Sequence, residues 1–449
     1  MGTLRHALPR IFDVTDATAH RVATPQSGAP LTLRERSDEL VARAPGSRRR
    51  GIASADVCRT PGDRDPSEHE AEGQAERLLL TLGTALHRHG APAHRLETAM
   101  SAMAEAMAVE ASFFSTPTAL LVTFGPTGRR RTEVIRVEPG DVNLGRLAAL
   151  DALGTQVAEG ELDVFAAEHA LAKLDADPAD YGTVGFIAAN ALAAGSAGIL
   201  LGGGLLEAWI GLVAGALVGG LLMLTLTKPG VPAARLLLGG CGFGVALLTG
   251  LGALAAPVSV PIGTLAGLIV LVPGLTLTVA VTELATRQLA SGSARLLDGI
   301  TSLMQLAFGS LLGARVAAAI GVHLGLVTTG SAAMTAAAHA ELPGWVSWAS
   351  VFAAGLCFAV LFRAAPRHVG LVVGASLLSW LAIQAGGSAL GPEVGMFVAA
   401  LMVGVCANAV ARWGHLPASI VLVPGVILLV PGAAGFRTIT HLIADDVVS

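Results

Sequence analysis

The sequence predicts a polytopic α-helical membrane protein with inverted-repeat halves, preceded by a small cytoplasmic α+β domain. Three observations predict it. First, 53% of the 449 residues are hydrophobic and only 14% charged, with a mean hydropathy of +0.65; a soluble chain carries roughly 25% charged residues. Second, 46 of the 62 charged side chains lie before Tyr181 and 16 after it, so the two parts suit two different solvents. Third, a Val-Pro-Gly pattern recurs in two apolar runs that are otherwise well suited to helices.

Residues 1–70 are rich in Arg, Asp, Pro, Ser and Gly without a sustained apolar period, and are expected to be a disordered tail. A small α+β domain is expected over 71–180. Ala75, Leu78, Leu82 and Leu86 recur at helical spacing up to Gly90, and Pro92 opens a second helix bearing Leu96, Met100, Met103 and Met107. The β-branched runs 118–124 and 132–138 read as strands joined through Gly125-Pro-Thr-Gly128, followed by helices over 141–160 and 162–175. The cysteines Cys58, Cys241, Cys357 and Cys406 match no metal or disulfide spacing. No metal or cofactor is expected; His87 and His89, two apart on a helix, do not share a face.

Beyond Tyr181 the expected spans are 183–202, 206–226, 235–255, 261–282 and 297–320 in a first half (181–322), and 344–362, 369–387, 391–411 and 417–435 in a second (343–449). Each is near the ~20 residues that cross ~30 Å of hydrocarbon. The positive-inside rule sets the orientation. With the N-terminus inside, the inner loops hold Lys228, Arg235, Arg287, Arg295, Arg363, Arg367 and Arg412, whereas Arg315 and Arg437 go against the pattern. The opening residues lack the long apolar core of a signal peptide. No basic stripe marks a nucleic-acid partner.

Leu271-Val-Pro-Gly-Leu-Thr-Leu-Thr278 lies in the fourth span of the first half, and Leu422-Val-Pro-Gly-Val-Ile-Leu-Leu-Val-Pro-Gly-Ala433 in the fourth of the second. Proline breaks helices and glycine loosens them. Interrupted helices in matching positions of two inverted halves point to a transporter's central site; the competing reading is that each proline only kinks a packed helix. Aligning Val272 with Val430 brings Ser291 onto Ser449, so a tenth span is expected where the chain ends. The options are nine working spans, a helix supplied by a partner, or a shortened reading frame.

Leu82-Gly-Thr-Ala-Leu-His-Arg-His-Gly-Ala-Pro-Ala-His-Arg-Leu-Glu97 resembles the start of the cytoplasmic domain in the threonine/serine exporter family. The resemblance continues through Pro139-Gly-Asp-Val-Asn-Leu144, Leu162-Asp163, Val272-Pro-Gly274, Glu283-Leu284 and Ser291-Gly-Ser-Ala-Arg-Leu296, and recurs at Pro424-Gly425 and Val430-Pro-Gly432. It implies a cytoplasmic domain followed by ten membrane helices in two related halves, in a bacterial inner (plasma) membrane. It further implies export of threonine and serine driven by protons. Membrane lipid, and a homo-oligomer or helix-supplying partner, complete the expected environment.

A zwitterionic solute needs partners for both charges. Pro273, Gly274, Thr276, Thr278, Pro431 and Gly432 are the expected substrate-binding residues, because half-helix N-termini present free N–H groups and a positive dipole end. The alternative for the threonines is back-bonding to helix carbonyls. Glu283 and Asp298 are the candidates for the coupling proton or the substrate ammonium; the alternative is pairing of Glu283 with Arg287 and of Arg295 with Asp298. Asn190, Gln305, Gln384 and Asn408 are candidate polar pathway residues, while Glu207 and Glu393 are expected at water-facing span ends. Two other functions compete with transport: a membrane scaffold or half-assembly needing a partner helix, and a membrane-anchored hydrolase. No Gly-x-Ser-x-Gly elbow, His-Glu-x-x-His pair or phosphate loop supports an enzyme.

Overall fold

The computed structural model describes residues 66–126, 128–138, 140–176, 181–226, 234–326, 342–414, 416–429 and 435–440. Those from Ala75 onward belong to one compact unit. The expected disordered tail (1–70) lies almost wholly outside the described residues, as do Cys58, Pro431 and Gly432.

The polar N-terminal part begins with helices α1 (Pro66–Arg88) and α2 (Ala93–Ala106). Strands β1 (Ala111–Thr116), β2 (Ala119–Phe124) and β3 (Arg131–Arg136) follow, then helices α3 (Leu144–Ala158) and α4 (Val164–Ala176). The strands form one antiparallel sheet in the order β1-β2-β3, with Phe114 opposite Leu121 and Leu121 opposite Val134. Alternation in β2 turns Leu120, Val122 and Phe124 onto the leucine and methionine faces of α1 and α2, where Leu78, Leu82, Leu96, Met100 and Met103 are fully buried. Strand β1 is an addition to the sequence reading, which found only two strands. Its Ser112-Phe-Phe-Ser115 core pairs apolar with apolar instead of alternating, so it carries no period-two signal.

The apolar part comprises α5 (Thr183–Leu200), α6 (Leu205–Leu226), α7 (Ala234–Ala255), α8 (Val260–Leu268), α9 (Gly274–Ala285) and α10 (Leu289–His323), then α11 (Gly344–Leu361), α12 (Val369–Leu390), α13 (Pro392–Gly414) and α14 (Ser419–Leu429). Seven of these are long and apolar enough to cross a membrane, while α9 and α14 are shorter apolar helices. The chain is thus a multi-pass helical membrane protein. The expected span 261–282 is two helices, α8 and α9, separated by residues 269–273. The expected span 297–320 is part of a 35-residue helix, α10, that starts at Leu289; polar residues such as Ser291, Ser293 and Arg295 hid its first turns from an apolar-run reading.

The most extensive helix pairs are α7 with α10, α5 with α6, and α12 with α13, and α11 packs against both α5 and α12. Small residues set the first of these. A side chain at Gly309 would collide with the carbonyl of Gly239, and one at Gly313 with the carbonyl of Phe243. Close approach of backbones is the usual way helices associate where lipid removes the hydrophobic drive. Outward on α10, Leu297, Met304, Phe308 and Leu312 remain exposed, as lipid-facing residues do.

The N-terminal part rests on the second group of helices through an apolar seam. Leu144 and Ala148 of α3 cluster with Ala359 and Ala364 at the end of α11, Val372 of α12, and Ile420 and Val423 of α14. Leu144 N donates to Phe362 O (2.8 Å), Gly145 N to Arg363 O (3.1 Å) and the Tyr181 hydroxyl to Ala364 O (2.9 Å). The first amides of α3 thereby meet the last carbonyls of α11, each satisfying the orphan groups of the other.

Replacing Gly313 by Ala should force α7 and α10 apart and destabilise the chain by about 1–3 kcal/mol. Thermal unfolding of the detergent-solubilised protein reads this directly, and an unchanged midpoint would mean that the two helices do not touch there.

Candidate functional site

Polar and irregular features collect around the break between α8 and α9 and at the far end of α9. At the break, Leu268 O accepts from Leu271 N (2.8 Å) and Val272 N (3.2 Å), and Val272 O accepts from Gly274 N (2.8 Å). Pro273 is the N-cap of α9, with φ −77° and ψ 47° and no side-chain cap. Proline cannot donate, and its ring blocks continuation of α8. Within the break, Val270 packs with Ala189 and Ala193 of α5 and with Cys357, Val360 and Leu361 of α11. The break therefore lies against the first helix of each apolar group, with Val272 buried and its neighbours half-buried.

The residues expected at the solute site fall into distinct settings. Pro273, Gly274, Thr276 and Thr278 are half-buried at the start of α9. The Thr278 hydroxyl donates to Gly274 O (2.9 Å), a back-bond within the helix. Pro424 lies inside α14 without breaking it, and the buried Ser379 hydroxyl of α12 donates to Gly425 O (2.9 Å). Asn190 of α5 is 0% exposed; its Nδ2 donates to Phe186 O (3.1 Å), while its Oδ1 has no hydrogen-bond partner. The Gln305 Oε1 on α10 is likewise buried and unpartnered. Asn408 is half-buried, whereas Gln384 and Asp298 are exposed.

Glu283 is 0% exposed and lies in the last turns of α9. Its Oε1 accepts from the backbone N–H of Ala93 (2.9 Å), the first residue of α2, whose N-cap Pro92 offers no side-chain acceptor. Its Oε2 lies 3.3 Å from Arg295 Nε, an ion pair that is not aligned as a hydrogen bond. A carboxylate at a helix N-terminus satisfies an orphan amide and complements the dipole. Sequence spacing offered Arg287 as an alternative partner for Glu283; the ion pair instead joins Glu283 to Arg295. Arg287 closes α9 with φ 64° and is exposed. The turn can be this tight because Gly292 has no side chain: a Cβ there would lie 2.9 Å from Leu284 N and 3.0 Å from Ala280 O.

Glu97 of α2 reinforces the same junction. Its Oε1 accepts from Ser115 N (2.7 Å) and its Oε2 from Gln288 Nε2 (2.7 Å). Burial pushes its carboxyl pKa up, while these two donors pull it down. His87 lies 2.6 Å through Nε2 from Thr116 O, so that nitrogen carries the proton. Burial lowers the pKa of both His87 and His94, with Arg295 adding to the effect on His87 and Arg95 to that on His94. The exporter-like motif at 82–97 is thus the docking surface for the α9–α10 turn. A sequence shows the motif but not its partner, which lies about 190 residues away.

Glu207 corrects a second expectation. Placed by sequence at a water-facing end, it is 1% exposed, with Oε2 accepting from Gly204 N (2.8 Å) and Oε1 from Ser259 N (2.8 Å). It ties the start of α6 to the N-cap of α8.

A lowered His94 pKa means that the unfolded chain takes up its proton first. Stability should therefore be level above pH 6.5 and decline as pH falls below it towards the folded value. Glu97 opposes this at lower pH, since its raised pKa lets the folded state bind a proton first as pH falls towards 4.5. Between pH 7.5 and 5.5 the melting temperature should drop, and His94→Gln should flatten that slope. Parallel slopes for the two proteins would count against neutral, buried His94.

Comparison with known proteins agrees with this organisation. The family described as "Putative threonine/serine exporter" matches residues 77–317, and the one described as "Threonine/Serine exporter, ThrE" matches 347–449. A "Probable threonine/serine exporter" from Mycobacterium tuberculosis is 26% identical over 319 residues, covering 69% of this chain and 58% of that protein. "Pheromone-regulated membrane protein 10" of Kluyveromyces lactis is 31% identical over 104 residues, 23% of this chain and 10% of its own length. The chain therefore spans little more than half of the mycobacterial relative and a small part of the fungal one. No solved structure matches. With the first family match alone spanning more than half of its residues, the chain belongs to the putative threonine/serine exporter family.

Proposed function

We propose that this chain is a secondary transporter that exports threonine, serine or a similar small polar solute, using the proton gradient. The observation that carries the reading is the interruption of the fourth apolar span at residues 269–273, whose Val270 packs against α5 and α11. Irregular backbone at membrane depth is tolerated where it lines a cavity or meets a solute. The family and the name of the mycobacterial relative support the same substrate class.

In this reading the substrate carboxylate meets the start of α9 through the amides of Leu275 and Thr276, next to Gly274, whose own N–H donates to Val272 O. Thr276 lies in the same turn, and the open Oδ1 of Asn190 accepts from the ammonium. Leaving a buried acceptor unpaired costs about 1–3 kcal/mol, a cost that a bound donor removes. Pro431 and Gly432, outside the described residues, are proposed as the counterparts in the second half on their sequence alone, and Gln305 adds a further acceptor. Protons enter through Glu283, the buried carboxylate one helix-length from the break. The N-terminal part faces the cytoplasm of a bacterial cell, as Arg287, Arg295, Arg363 and Arg367 on the helix turns nearest it would require under the positive-inside rule.

Efflux of labelled threonine from proteoliposomes containing the purified chain tests the proposal. A proton gradient should stimulate efflux, and Asn190→Ala should reduce it at least tenfold while leaving the protein folded. Retention of both threonine and serine by folded wild-type protein would sink the reading.

A further inference from the structure

Two seams join the N-terminal part to the helices, and they differ in chemistry. The seam at α3 is apolar, with Leu144 and Ala148 set among Ala359, Ala364, Val372, Ile420 and Val423, and three hydrogen bonds to consecutive carbonyls fix it. The seam at α2 is polar. Glu283 reaches Ala93 N and Arg295, and Glu97 reaches Gln288 and Ser115 N. The first seam belongs to the α11–α12 turn and the second to the α9–α10 turn. Together they bridge the two groups of helices, so the groups cannot separate on this side while both seams hold.

We propose that Glu283 is a latch. Its charged carboxylate holds the start of α2 against α9 and α10, and its neutralisation releases that contact while the apolar seam stays closed. The inference rests on the transporter reading above and gives the N-terminal part a conformational role in it. α9 begins at the break and ends in the turns that carry Glu283, so a rearrangement at the break is delivered to the α2 N-terminus through one short helix. The groups around the carboxylate would make its hold sensitive to charge. His87 from α1, His94 and Glu97 from α2, and Arg295 from α10 all lie near it.

Polar contacts of this kind suit a reversible junction. A single helix cap contributes less than burial of several aliphatic side chains does. Gln in place of Glu283 retains an acceptor for Ala93 N–H but loses the charge that favours both the α2 dipole and Arg295. Pro in place of Ala93 deletes the donor at the first helical position, where proline fits a helix.

Hydrogen–deuterium exchange on the full chain in nanodiscs tests the latch without any transport assay. In Glu283→Gln, and separately in Ala93→Pro, exchange across residues 94–97 should rise at least fivefold over wild type. The segment 142–148, which reads the apolar seam and the folding of the same sample, should not change. Equal rises in the two segments, or no rise in 94–97 of either variant, would overturn the latch whatever the efflux assay shows. A wild type that retains threonine would instead remove the transporter reading and leave the exchange result standing.

Discussion

A charged carboxylate removed from water must find donors in the protein, or its desolvation costs several kcal/mol. The two fully buried glutamates among the described residues meet this constraint in the same way. Glu283 accepts from the first amide of α2, and Glu207 accepts from Gly204 N ahead of α6 and from Ser259 N at the cap of α8. Helix starts are the places where unpaired N–H groups and positive dipole ends coincide. Each glutamate therefore fixes where a helix begins. In the case of Glu283 the helix belongs to the polar N-terminal part, so a residue in the apolar half of the sequence positions a domain that precedes it by about 190 residues.

That arrangement changes how the buried ionisable groups of the apolar part are understood. An acidic residue within a membrane segment is a functional candidate by default, but burial alone does not say which function. Glu207 has both oxygens engaged by backbone amides and acts as a tie between two loops. Glu283 has one such bond and one loosely aligned ion pair. Asn190 differs from both, since its unpaired oxygen lies deep among α5 and α6 with no protein donor assigned to it.

Much of the fold was legible in the sequence because lipid imposes simple rules. Long apolar runs marked the helices, and Pro273-Gly274 marked the interruption of the fourth span, since proline both lacks a donor and obstructs the preceding turn. Features that depend on a distant partner were not legible. Strand β1 is held by its neighbour and not by its own alternation. The first turns of α10 carry Ser291, Ser293 and Arg295 and so look like a loop when judged by hydropathy. Helical spacing offered Arg287 as the partner of Glu283, but the positive φ at Arg287 ends the helix and turns the chain back, which brings Arg295 into place. The candidate solute residues were chosen for chemistry and depth; among the described ones, Asn190, Gln305 and Glu283 each carry a buried oxygen without a hydrogen bond, which sequence cannot reveal.

Helix α10 has 35 residues and rises about 52 Å, against roughly 30 Å for a bilayer's hydrocarbon layer. Its excess length makes it a rigid strut that emerges from the lipid on the side where Arg295 meets Glu283 and where β1 lies beside it. A helix longer than its bilayer adjusts by tilting, and a strut that tilts swings its free end. The far end of that strut is where the polar junction sits, so the helix that spans the lipid and the contacts that hold the N-terminal part belong to one continuous rod.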